Sequence, residues 1–303
     1  MRDPDGPPVT APDIQDREGE RRAPPSAQPT LLADLLETRP TSSALRFALV
    51  GLASTAASAG LALVFRVPAT GVFTVFLSAA ALVGPLDHLL VDNRDAIWVH
   101  RRSAWAANRR TALCVLALFL GMTTAYVALA ALLGRERILT DYHLSLDVAR
   151  LSGGDVLSAR FGDAVALFTH NLRVLGAVFA LAFVFRTYGA LLVLGWNAAV
   201  WGIVLTLLVT GAMQHTGQSP TLFVAGATLA LLPHLLLEAA SYVITALSAI
   251  FVSKGLVLYG LADPRLLRVA RASGVLLIVA LGALGLAAIV EQGFAPWLLG
   301  RLR

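Results

Sequence analysis

The sequence predicts an all-α, polytopic transmembrane helix bundle of about seven spans. Three observations predict it: 57% of the 303 residues are hydrophobic, only 14% are charged, and the apolar residues fall into seven runs of roughly 17 to 32 residues separated by short polar connections. A soluble domain carries about 25% charged residues. The mean hydropathy of +0.72 lies on the membrane side of that comparison.

Residues 1–30, rich in Pro, Asp, Arg and Gly, bury too little apolar surface to fold alone, so a disordered cytoplasmic tail is expected. No short apolar run follows a basic start there, so no cleavable signal peptide is expected. Within residues 31–92, Leu31, Leu32, Leu35 and Leu36 have the spacing of a short interfacial helix. The spans Phe47–Phe65 and Gly71–Val91 then form a hairpin across the turn RVPAT, with Ala56 and Gly60 as a small-residue contact face. Residues 93–110 place Arg94, Arg101, Arg102, Arg109 and Arg110 around Trp98 and Trp105. That pattern predicts a basic, amphipathic connector lying on the cytoplasmic face.

The five remaining spans lie within residues 111–291. They are Thr111–Leu133, Ala164–Phe185, Leu191–Val209, Thr221–Val252 and Gly274–Val290. The polar connection from Gly134 to Gly162 mixes apolar and charged residues and predicts short amphipathic helices on the opposite face. Residues 292–303 form a surface tail. Arginines concentrate in alternate short loops, which predicts a cytoplasmic N-terminus and a multi-pass protein of the cytoplasmic (inner) membrane.

The run Thr221–Val252 is the most informative. Its middle holds Pro233, His234 and Glu238, and ionisable groups at that depth require partners. A proline lacks the N–H that would bond one turn back, so a helix broken at Pro233 is expected. His234 and Glu238, four apart, share one face. His170 and Asn171 in the fourth span and Asn197 in the fifth are the polar residues expected to face them. Such a cluster reads in two ways: groups that satisfy one another and fix helix register, or a substrate, proton or ion site. A metal centre has little support, since the helical zinc motif H-E-x-x-H is absent. The sequence contains no G-x-S-x-G element and no phosphate-cradling glycine loop, so no catalytic residue and no cofactor is predicted. The formal charge of +5 comes almost wholly from arginine, with Lys254 the single lysine. No basic stripe interleaved with aromatics marks a nucleic-acid surface. The lone Cys114 excludes an internal disulfide.

Taken together, FTHN (Phe168–Asn171), WNAAVWG (Trp196–Gly202) and PHLLLE (Pro233–Glu238) resemble the stage II sporulation protein M family of integral membrane proteins. Asn171, Asn197, Gly202, Pro233, His234 and Glu238 match that family's pattern in order, type and approximate spacing. Ala198 and Leu235 stand where the family has glycine. The resemblance covers the five-span core, with the hairpin at residues 47–91 as an added element. It implies a non-enzymatic membrane scaffold that recruits protein partners, cell-envelope or peptidoglycan-remodelling factors among them, in the bilayer and with scope for a homo-oligomer. The alternative is a transporter or channel-like protein whose polar site is His234/Glu238.

Overall fold

The computed structural model describes residues 43–143, 164–213 and 219–301. The expected tail at 1–30, the interfacial helix at 31–42 and most of the connection from 134 to 162 lie outside the described residues. Those described form seven helices and no strand: α1 (Ser43–Val64), α2 (Thr70–Trp98), α3 (Ala104–Leu133), α4 (Arg135–Asp141), α5 (Ala164–Met213), α6 (Pro220–Tyr259) and α7 (Pro264–Arg301). All except the seven-residue α4 are long and apolar enough to cross a membrane.

α5 is two helical arms joined at Arg186, whose backbone takes φ 53°, ψ −129°. The chain reverses so tightly here that a Cβ on Gly189 would strike the Leu181 carbonyl. The predicted boundary between the fourth and fifth spans falls at this point, and seven apolar arms result. Helix ends follow local chemistry. Ser219 caps α6 by accepting from Leu222 N at 3.4 Å, with Pro220 in the first turn. Asp263 Oδ1 accepts from Arg265 N at 2.7 Å as α7 begins. Gly134 and Gly260 stop α3 and α6 at φ 77° and 71°, backbone that costs glycine nothing.

The helix expected to break at Pro233 does not break: α6 is one element from Pro220 to Tyr259 with Pro233 inside it. The proline removes a single backbone donor, and the turns on either side keep theirs. The basic stretch at 93–110 also differs from expectation. No separate interfacial helix forms among these residues; α2 runs on to Trp98, a short turn follows, and α3 starts at Ala104. Asn93 Nδ2 donates to Asn108 Oδ1 at 2.9 Å, clasping the two helix ends. Residues 292–301 likewise continue α7 instead of forming a separate surface segment.

α3 holds the centre, touching α1, α2, α5 and α6. Its contact with α1 is made by Gly51 and Gly121, not by the expected Ala56 and Gly60. A Cβ on Gly51 would meet the Leu118 carbonyl and one on Gly121 the Ala48 carbonyl, whereas Ala56 is exposed and Gly60 faces open space. Aromatic rings fill the space between α3, α5 and α6. Phe119 meets Trp201 edge-on at 5.3 Å, and Trp201 lies 6.3 Å from Tyr242. Several hydroxyls inside the spans bond one turn back, as Thr74 does to Thr70 O at 2.8 Å and Thr123 to Phe119 O at 2.9 Å, which satisfies them within their own helix.

The two ends of the bundle can be assigned by contact. At one end Asp87 Oδ1 accepts from Thr187 Oγ1 at 2.7 Å and from Lys254 Nζ at 2.8 Å, joining α2, α5 and α6. Arg268 lies over the Trp98 ring at 5.6 Å at the same end. At the other end, the turn between α1 and α2 and the helix α4 line one cavity of about 400 Å³ through Arg66, Val67, Arg137 and Asp141. Tyr142, just beyond α4, is buried beside Tyr126 with ring centroids 6.2 Å apart. Burial pushes its phenol up to about 12.

Candidate functional site: a histidine between two glutamates

His234 and Glu238 occupy one face of α6, four residues apart, and the side chains meet with Nε2 to Oε2 at 3.1 Å. Tyr242, one further turn along, donates its hydroxyl to Glu238 Oε1 at 2.6 Å. The partner face belongs to α7, where Ala287 and Glu291 are likewise four apart. His234 Nδ1 lies 3.1 Å from the Ala287 carbonyl oxygen. A backbone carbonyl only accepts, so Nδ1 carries a hydrogen. Glu291 Oε2 stands 3.4 Å from His234 Nε2. Two i, i+4 pairs on facing helices thus meet at one imidazole ring, Ala287 at Nδ1 and both glutamates at Nε2.

The side chains of His234, Glu238 and Glu291 are only 9%, 7% and 14% exposed, far from free hydration. With Nδ1–H committed to Ala287, a neutral ring would turn the Nε2 lone pair toward carboxylate oxygens. That arrangement repels unless a proton lies between them, so the geometry calls for an imidazolium or a protonated carboxyl. Glu238 is served on both oxygens, by Tyr242 and by His234. Glu291 Oε2 is buried and accepts no hydrogen bond.

Of the residues the sequence pointed to, the structure brings His234 and Glu238 together. Asn197 is half-buried and donates to its own Val193 carbonyl at 2.8 Å, so its amide is used within its helix. Asn171 is buried and His170 exposed. Among the described residues no hydrogen bond or ion pair joins any of these three to His234 or Glu238. Glu291 was missed in sequence. The signal available was that it is the one acidic residue after Asp263, standing at the end of an apolar run where it reads as a span boundary.

Among the described residues, no group of three or more His, Cys, Asp and Glu side chains is arranged to hold a metal ion. A second cavity, of about 410 Å³, lies between the starts of α1 and α3, lined by Ser43, Trp105, Arg109, Arg110 and Cys114. Neither of these two cavities includes a residue of the cluster. In comparisons with family models, curated proteins and solved structures, no family model, no curated protein and no solved structure matches this chain.

Proposed function

We propose that this integral membrane protein is a scaffold: a fixed bundle that recruits or anchors protein partners at the cytoplasmic membrane, with cell-envelope or peptidoglycan-remodelling factors as the partner class. The observation that supports this reading is the filled bundle centre. Phe119, Trp201 and Tyr242, from three different helices, interlock through it, and the glycine contacts at Gly51, Gly121 and Gly202 set helices at backbone distance. Close packing of this kind favours one arrangement over several. A transporter or channel-like protein needs a path between helices, and here rings occupy that space.

The resemblance to the stage II sporulation protein M family supports the same reading. Gly202, one of the matching positions, would set a Cβ 2.9 Å from the Thr123 carbonyl oxygen. Its role is packing. In this reading the chain performs no catalytic step, its N-terminus is cytoplasmic, and copies of the chain are candidate partners of one another.

Crosslinking in intact cells followed by purification in mild detergent tests the proposal. A defined partner, or a second copy, recovered in fixed ratio is the expected result. Recovery of the protein alone, together with ion or solute flux from proteoliposomes that is lost in Glu238→Gln, would overturn it in favour of transport.

A further inference from the structure

We propose that His234, Glu238 and Glu291 form an intramembrane proton-binding site, with Glu291 as the carboxyl that takes up and releases the proton. The inference concerns this cluster and stands whether or not the bundle serves as a scaffold.

It follows from an account of hydrogens and charges. His234 Nδ1–H is used by the Ala287 carbonyl. Nε2 lies nearer to Glu238 Oε2, at 3.1 Å, than to Glu291 Oε2, at 3.4 Å, and the Tyr242 hydroxyl serves the other Glu238 oxygen. Glu238 therefore has a partner at each of its oxygens, and an imidazolium at His234 pairs with it. Glu291 is left over. Its Oε2 is 3.4 Å from a ring nitrogen that lies closer to Glu238, and it is buried with no hydrogen bond. Ionised, Glu291 brings the cluster to a net charge of −1 in an apolar bundle; protonated, it brings the cluster to zero. Low dielectric strongly favours the neutral state.

Among the described residues no other charge is paired with Glu291. α3, which also touches α6, has no acidic or basic residue between Arg110 and Arg135. On α5, which touches both α6 and α7, His170 and Arg173 are exposed, and Asn171 and Asn197 are neutral. Among the described residues no ion pair reaches the cluster from either helix. A metal ion is the other way to supply positive charge, and the described residues provide no set arranged for one. Glu291 is also the most exposed of the three and lies ten residues from the end of α7, which makes it the group through which a proton enters.

Difference infrared spectroscopy of the full chain in lipid nanodiscs, stepped between acidic and alkaline pH, tests the site. A protonated-carboxyl C=O band that downshifts in heavy water is expected in the wild type and in Glu136→Gln, a change at an exposed position of α4, and its loss is expected in Glu291→Gln. Where Glu291→Gln fails to fold, Glu291→Asp decides, by retaining the band at a shifted frequency and pH midpoint. Dicyclohexylcarbodiimide, which adds to protonated carboxyls in apolar surroundings, should modify Glu291 in the unsubstituted protein. Persistence of an unchanged band in Glu291→Gln, the absence of any such band or adduct in the wild type, or one equivalent of metal lost on Glu291→Gln would overturn the assignment.

Discussion

Gly121 lies directly against Ala48: a Cβ on the glycine would strike the alanine carbonyl oxygen and stand 3.0 Å from Ala48 Cα. The obstacle is backbone, so no side-chain rotation relieves it, and α1 would have to move off α3. Gly121→Ala should destabilise the bundle by about 1–3 kcal/mol, as overpacking does elsewhere. Gly60→Ala, which meets nothing within 4 Å, should be neutral or slightly stabilising, since alanine is the better helix former. Thermal unfolding in one detergent compares the pair. Equal midpoints would show that the α1–α3 contact is not made through glycine.

The hinge at Arg186 carries a conformation that disfavours every residue except glycine. Strain of this kind is worth about 1–3 kcal/mol. Glycine brings back part of that through its extra freedom in the unfolded chain. Arg186→Gly should therefore raise stability by roughly 1 kcal/mol, read as a higher unfolding midpoint. A lower midpoint would mean that the guanidinium itself, and not the backbone, sustains the hinge.

The contacts of Asp87 with Thr187 and Lys254 put the α2–α3 turn, the Arg186 hinge and the α6–α7 loop at one end of the bundle. With Cys114 replaced by alanine, single cysteines at His100 and at Ala262 should react with a membrane-impermeant maleimide from the same side. One at Val67 or Arg137 should react only from the other. The arginine distribution predicts that the shared side is the cytoplasm. Labelling of all four from one side would refute the alternation.

The spans were legible because twenty apolar residues in a row have few other uses, and the hinge was legible because Arg186 interrupts two such runs. Pro233 was misread for a different reason. What a proline does to a helix depends on the helices around it, and α6 is tied to α7 at His234 on the very next residue. The partners of His234 and Glu238 divide in the same way. Tyr242 shares their helix and follows from spacing, whereas Glu291 is 53 residues from Glu238, and only the docking of α7 brings it in. Asn197 was assigned to the cluster because one-dimensional reading gives no weight to the Val193 carbonyl one turn away in its own helix.

Tyr142 offers a pH test outside the spans. Its folded phenol is raised from 10.0 to about 12 by burial. The folded state therefore holds the proton after the unfolded chain has released it. The stability contributed is complete below pH 10 and falls as pH rises from 10 toward 12. Tyr142→Phe should flatten that decline. Unfolding midpoints across this range provide the measurement, and identical slopes in the two proteins would remove Tyr142 as the cause.

The last prediction separates the worth of the His234 cluster from the cost of damaging it. His234→Leu leaves Glu238 and Glu291 facing each other without the cation between them, and removing one member of a buried pair costs about 3–5 kcal/mol. Tyr242→Phe removes one donor to a carboxylate and should cost roughly 1.5–3 kcal/mol. Replacing His234, Glu238 and Glu291 together by leucine removes the desolvation cost along with the attraction, so the triple variant should recover most of what His234→Leu loses. Unfolding midpoints of the three proteins decide it. A triple variant as unstable as His234→Leu would mean that the cluster itself holds α6 to α7. Recovery would leave the polar groups without a net stabilising role, which is the outcome expected if they are there to carry a proton.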